Sequence, residues 1–152
     1  MAAVLDVRPG AGIGPISIGM TRDEARTSAA AMGLSIADYR RGSPSDGPAD
    51  LRFGDQLFAY FEGGDRVVAV EVGVRGPLAV ICLDLDLGAS YADVMRAMEA
   101  HGNVDETDPE FPSTSVFFEL GLTLWADVKP VDMSEFPVQA ILVRRSQPYP
   151  LD

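Results

Sequence analysis

The chain has 152 residues, of which 47% are hydrophobic and 23% are charged, and its formal net charge is −11. This length is typical of one domain, and the composition is typical of a soluble globular protein. The acidic balance argues against nucleic-acid binding, which requires a basic surface. No run of about 18 apolar residues predicts a membrane-spanning segment.

The targeting and redox features of the sequence predict a cytoplasmic protein. Cys82 is the single cysteine, so an intrachain disulfide is excluded, which favours a reducing compartment. The first ten residues, MAAVLDVRPG, lack the basic start and long apolar run of a signal peptide. The acidity either attracts a basic protein partner or simply keeps the protein soluble.

The glycine-rich stretch GAGIGPISIGMTRDEA, residues 10–25, is the closest approach to a cofactor motif. A dinucleotide fingerprint requires G-x-G-x-x-G at a strand-to-helix turn, so that the helix N-terminus meets the pyrophosphate. Here Pro15 stands where the third glycine belongs, and Ile16-Ser17-Ile18 alternates like a strand. The sequence therefore predicts no nucleotide or other cofactor at this position.

The end of that stretch predicts the start of a helix. Thr21 and Glu24 form a capping box, which satisfies two backbone N–H groups that would otherwise lack partners. Gly33 supplies a left-handed terminator. These signals predict a helix over 22–32.

The same signals recur 69 residues later in LGASYADVMRAMEAHG, residues 87–102. Ser90 takes the place of the cap, Asp93 that of the acidic third residue, and Gly102 that of the terminator, which predicts a helix over 91–101. Each helix is followed by a polar loop and a β-rich segment. Self-similarity at a fixed spacing indicates an internal repeat.

We therefore predict an α+β fold in which two β-α-β-β(-β) pseudo-repeats, about 12–76 and 77–146, form one domain over 1–152. The strands are expected to form a curved, mostly antiparallel sheet with the helices on one face. In the first repeat, Gly63-Gly64 predicts a tight hairpin turn between two strands.

Period-two alternation assigns two sides to each predicted strand. One side is aliphatic and is expected to pack beneath the helices; in ICLDLDL this side comprises Ile81, Leu83, Leu85 and Leu87, which leaves Cys82 on the other side. The remaining sides combine into an open sheet face of aromatic and acidic residues: Phe58, Tyr60, Glu62, Glu71, Asp84, Asp86, Glu119, Trp125 and Asp127. Tyrosine and tryptophan are enriched at protein interfaces, although aromatic residues also serve cross-strand pairing on solvated sheets.

The residues that could carry chemistry lack the partners that chemistry requires. Asp84 and Asp86 lie about 6–7 Å apart on the predicted strand, a spacing open to acid–base or cation-binding roles, but no histidine or calcium loop is near them. His101, the single histidine, is expected to cap the carbonyl groups at its helix end. No basic neighbour lowers the pKa of Cys82. We therefore expect neither an enzyme nor a metal site.

The helix-start motif Gly19-Met20-Thr21, followed by an antiparallel β region, resembles that of small bacterial domains shared by the outer-membrane assembly lipoprotein BamE and the tandem-repeat β-lactamase inhibitory proteins. Gly88-Ala89-Ser90 is a degraded second copy. The chain is also similar to small bacterial proteins that include immunity proteins against toxins. The inhibitor resemblance implies a concave sheet face that clamps a target protein, whereas the lipid anchor and disulfides of those families are missing.

We thus expect a non-enzymatic protein-binding module, an immunity-type inhibitor that binds a basic effector through the aromatic and acidic face. The alternative is a small-molecule-binding protein, or an enzyme of a class that its motifs do not identify, with a site between the two halves. The acidity favours the first, because an acidic surface accelerates encounter with a basic partner.

Overall fold

The structure, a computed structural model, describes residues 4–39, 49–61, 65–108, 111, 114–126 and 138–146. Within these residues the chain forms two helices and twelve strands. In chain order they are β1 (Val4–Arg8), β2 (Gly12–Ile13), β3 (Ile16–Ser17), α1 (Arg22–Ala31), β4 (Ile36–Tyr39), β5 (Asp50–Phe53), β6 (Leu57–Tyr60), β7 (Ala69–Gly73), β8 (Ala79–Cys82), β9 (Leu85–Asp86), α2 (Tyr91–Glu99), β10 (Thr114–Phe117), β11 (Leu122–Ala126) and β12 (Val138–Val143).

The strands form two sheets rather than the single sheet predicted from the sequence. A five-stranded sheet has the order β3-β2-β1-β8-β9, and a seven-stranded sheet has the order β10-β11-β12-β7-β6-β5-β4. Every strand pair in the described residues is antiparallel except β1 with β8, which run parallel from Val4 opposite Ala79 to Val7 opposite Cys82. The expected α+β class with mostly antiparallel strands is therefore confirmed.

Both helices begin where their capping residues predict. Thr21 accepts a hydrogen bond from the Glu24 backbone N–H at 3.2 Å, and the Glu24 carboxylate accepts one from the Thr21 N–H at 3.0 Å. Ser90 caps α2 in the same way through the Asp93 N–H. Gly33 has the positive φ of +81° expected of a helix terminator. None of the helices in the described ranges is long and apolar enough to cross a membrane.

The main hydrophobic core contains buried side chains from both sheets and from both helices. Helix α1 contributes two small alanines, whereas α2 contributes larger residues that fill more of the core. The set includes Leu5 and Val80 of the five-stranded sheet, Ala25 and Ala29 of α1, Val94 and Met98 of α2, and Leu57, Val70, Val72, Leu124 and Ile141 of the seven-stranded sheet. The aliphatic sides of β6 and β11 are buried in this core as expected: Leu57, Ala59, Leu122, Leu124 and Ala126.

The prediction for the segment around Cys82 was wrong, because ICLDLDL is a hairpin and not one strand. Leu83 and Asp84 have φ angles of 51° and 65° and turn the chain between β8 and β9. Cys82 consequently faces the core and is fully buried. Leucine rarely adopts a positive φ, and the local sequence carries no glycine to indicate a turn here.

Candidate binding face of the seven-stranded sheet

One side of the seven-stranded sheet carries most of the aromatic residues singled out in the sequence. Cross-strand partners lie on the same side of a sheet. One row of such partners crosses all seven strands: Ala37, Arg52, Phe58, Glu71, Leu142, Thr123 and Val116. Alternation adds Tyr39, Tyr60 and Trp125, each two residues from a member of the row. We call this side the aromatic face.

The aromatic face holds a hydrophobic cluster separate from the main core. Its buried members are Tyr60, Ala69 and Leu142, and Tyr39, Phe58 and Trp125 pack against them while remaining partly exposed. Among the described residues, neither helix contributes to this cluster. This side of the sheet therefore has its own apolar layer, with two tyrosines, a phenylalanine and a tryptophan as its larger members.

Tyr39 is the residue of this cluster that the sequence reasoning missed. It comes from the edge strand β4, and its ring lies 4.9 Å from the Phe58 ring and 6.3 Å from the Tyr60 ring, centre to centre, in tilted geometry. Such pairs stabilise by about 0.5–1.5 kcal/mol beyond their buried area. Tyr39 opens the polar segment YRRGSPSDGPAD, which is typical of a loop, and the alternation of Ile36–Tyr39 is too short to predict a strand.

Glu71 lies on the aromatic face and is hydrogen-bonded to another residue of that face. Its carboxylate accepts a hydrogen bond from the Tyr60 hydroxyl, and its backbone lies opposite Phe58 and Leu142. The exposed Arg52 lies in the same cross-strand row. The charge on the described part of the aromatic face is therefore mixed, in contrast to the uniformly acidic face expected from the sequence.

The other predicted members of the face lie elsewhere. Asp84 and Asp86 are in the β8–β9 hairpin of the five-stranded sheet, and Asp86 accepts a hydrogen bond from the Gly88 N–H at 2.8 Å. Glu119 lies in the turn between β10 and β11 and accepts a bond from the Asn103 side chain at 3.2 Å. The structure separates these carboxylates from Trp125 because they belong to turns and to the second sheet.

Three features predicted from the sequence fall outside the described residues. They are Glu62, the Gly63-Gly64 turn and Asp127.

The groups considered for catalysis do not converge in the described part of the chain. Burial, together with the nearby Asp6 charge, raises the pKa of the Cys82 thiol to about 12, so it carries no thiolate at neutral pH. His101 is exposed and follows the end of α2. In the described ranges no three His, Cys, Asp or Glu side chains approach closely enough to hold a metal ion.

The β11 end of the aromatic face is cut by a cleft of about 300 Å³. Its walls include Phe118, Trp125 and Leu142, and Arg144 and Arg145 line it where the chain leaves β12. The β11–β12 register shifts between Trp125 and Ala126, and such bulges re-aim the side chains beside them. The local sequence pattern did not predict that these arginines and Trp125 line the same cleft, because this depends on which strands pair.

No family model matches the chain, and neither a curated protein nor a solved structure matches it.

Proposed function

We propose that the protein is a non-enzymatic protein-binding module that binds its partner through the aromatic face. The observation that carries this proposal is the second hydrophobic cluster, in which Tyr39, Phe58 and Trp125 remain partly exposed. Tyrosine and tryptophan dominate the binding energy of protein interfaces, since each gives a large rigid contact with a polar group at its edge.

We further propose that the partner is a basic protein and that the module acts as an immunity-type inhibitor in the cytoplasm. The net charge of −11 supports a basic partner, because long-range attraction accelerates association between oppositely charged proteins. The single cysteine supports a reducing compartment. The inhibitor class rests on the resemblance of Gly19-Met20-Thr21 to the tandem-repeat inhibitory proteins.

We also infer that the chain consists of two pseudo-repeats, about 12–76 and 77–146. Three correspondences at a spacing of 69 residues support this. The β2–β3 and β8–β9 hairpins have equivalent pairs, Gly12 with Ser17 and Ile81 with Asp86. The helix caps Thr21 and Ser90 have the same spacing, and so do the first residues of β7 and β12, which are neighbours at the centre of the sheet.

We also propose that both helices pack on one side of the seven-stranded sheet. The support is that the buried residues of α1 and α2 share the main core cluster with Val70 and Ile141, which alternate with the residues of the aromatic face. The aromatic face would then be the side left for a partner.

The test compares partner binding by variants on and off the aromatic face. The wild-type protein serves as bait to isolate a basic partner, and affinities are then measured by calorimetry. We expect Trp125→Ala to weaken binding by about 2 kcal/mol, as truncation of an interface hot spot does. Raising the salt concentration should slow association, because the attraction between net charges is screened.

Asp86→Ala is the matched control, since Asp86 is exposed and lies on the other sheet. It should bind the partner with unchanged affinity. Each variant is accepted only if its melting temperature shows that it is folded. A Tyr39→Ala, Trp125→Ala double variant that binds as tightly as the wild type would disprove the use of this face.

The second candidate, small-molecule binding, is favoured by the cleft beside Trp125. The residues that line it run from Val116 to Arg145 and all belong to the second half of the chain. The cleft therefore supports a small-molecule site within the second half of the chain, and not the site between the two halves that was expected from the sequence.

A further inference from the structure

The cleft at the end of the aromatic face combines an apolar wall with two cationic groups. Val116, Phe118, Trp125 and Leu142 supply apolar surface, and Arg144 and Arg145 supply the charge. Its volume of about 300 Å³ is at the lower end of the range for small-molecule sites. Ligand sites are commonly of this kind, mostly apolar with a few polar groups that fix the orientation.

The two arginines are not neutralised by the described part of the chain. Their side chains make no hydrogen bond or ion pair there, whereas five other arginines have partners: Arg8, Arg22, Arg26, Arg66 and Arg96. Both arginines are exposed, and Arg145 also reaches Gly19, where the two arginines line a second cleft with Arg66.

The backbone fixes these arginines beside the apolar wall. The Arg144 N–H donates a hydrogen bond to the Gly121 carbonyl at 2.8 Å. Gly121 has a φ of +64°, and a Cβ atom there would collide with the Arg144 carbonyl oxygen. The β10–β11 turn therefore lies directly against the backbone of Arg144.

We propose that this cleft binds an organic carboxylate with an apolar body. The guanidinium groups bind the carboxylate, which they match in planar, two-pronged geometry, while Trp125, Leu142 and Val116 contact the apolar part. A free acid and the C-terminal carboxylate of a peptide share this chemistry. The proposal goes beyond protein binding by the aromatic face and does not depend on it.

Trp125 provides the readout, because it is the single tryptophan of the chain and lines the cleft. Its fluorescence is followed during titration with 4-phenylbutyrate and, separately, with the uncharged 4-phenylbutyramide. We expect a saturable change with the acid and at least about tenfold weaker binding of the amide, which lacks the charge-assisted hydrogen bonds. Equal binding of acid and amide would overturn the proposal.

A second pair of probes separates the two sources of the carboxylate. These are the dipeptide acetyl-Leu-Phe with a free C-terminal carboxylate and the same dipeptide as its amide. Binding of the dipeptide acid without 4-phenylbutyrate assigns the cleft to peptide C-termini, and the reverse assigns it to free acids. The proposal would be overturned if neither acid bound at concentrations up to about 10 mM, because a dissociation constant above that value is too weak for a ligand site.

Substitutions of exposed arginines test the role of the charge. The double variant Arg144→Gln, Arg145→Gln should bind the effective acid at least about tenfold more weakly than the wild type. Arg52→Gln is the control, because Arg52 is also exposed on the aromatic face but does not line the cleft, and its effect should stay within about twofold. The proposal would be contradicted if the control lost as much affinity as the double variant. It would also be contradicted if the double variant bound the acid as tightly as the wild type.

Discussion

The Cys82 thiol shows how a potentially reactive group is made inert by its position. It is fully buried and lies at the end of β8, opposite Val7 of β1. Removal from water disfavours the thiolate, and the negative charge of Asp6 disfavours it further, so the pKa rises to about 12. A thiol-directed reagent can therefore react with Cys82 only after local or global unfolding exposes the thiol.

We predict that native protein at neutral pH reacts with a thiol-directed reagent such as iodoacetamide at least about a thousandfold more slowly than unfolded protein. The factor follows from the small population of open states at ordinary stabilities. The measurement is the labelled fraction over time by mass spectrometry, with urea-unfolded protein as the reference. Labelling of the folded protein at the rate of a free thiol would refute the assigned burial.

Single residues also mark where sequence reasoning failed. Alternation placed Phe58, Tyr60 and Trp125 on one side because a strand has a fixed period. The same rule failed at Leu83 and Asp84, whose positive φ values reverse the chain. Tyr39 and the two arginines of the cleft were missed for a different reason, because strand pairing between distant segments brings them to the face.

The helix starts are the elements that local sequence determines most fully, whereas α2 ends at Glu99 instead of residue 101 and Gly102 lacks the positive φ of a terminator. The capping box of α1 is complete, and the lowered pKa of Glu24 has as its main causes the hydrogen bonds from the Thr21 backbone and side chain. Both predicted helix starts agree with the structure to the residue, since caps depend on neighbours in sequence. The parallel pairing of β1 with β8, in contrast, has no local signal.

The Glu24 carboxylate should make the stability of the protein depend on pH. Its pKa is lower in the folded state than the ordinary value of 4.5, so its charge stabilises the fold above pH 4.5, and the contribution disappears as the pH falls through the lowered pKa. We predict that Glu24→Gln lowers the melting temperature at pH 7 and lowers it by a smaller amount at about pH 3, below the ordinary pKa of the carboxyl group. Calorimetric melting of both proteins at each pH measures this.

The glutamine keeps the polar atoms of the cap, so the comparison isolates the charge. A difference between variant and wild type that has the same size at both pH values would contradict the assigned role of the carboxylate.

At the scale of the whole molecule, the two halves of the chain, residues 1–76 and the residues from 77 onward, are joined through both sheets. Strand β1 of the first half pairs with β8 of the second in the five-stranded sheet, and β7 pairs with β12 at the centre of the seven-stranded sheet. The main core cluster takes buried residues from α1 and from α2. Each half therefore leaves sheet edges and apolar surface exposed when the other is removed, which costs both hydrogen bonds and hydrophobic burial.

We predict that the protein unfolds in a single cooperative transition and that residues 1–76 expressed alone do not fold. Hydrogen exchange measured by mass spectrometry should give the amides of β6 and of β11 the same free energy of opening, equal to that of global unfolding from a urea titration. The physical reason is that β7 and β12 share one ladder, so neither half can open without breaking the central pair. Trp125 fluorescence and far-ultraviolet circular dichroism should give coincident transitions. Two separate transitions, or a folded 1–76 fragment with protected β6 amides, would show that the halves are independent domains and that the aromatic face spans a junction between them.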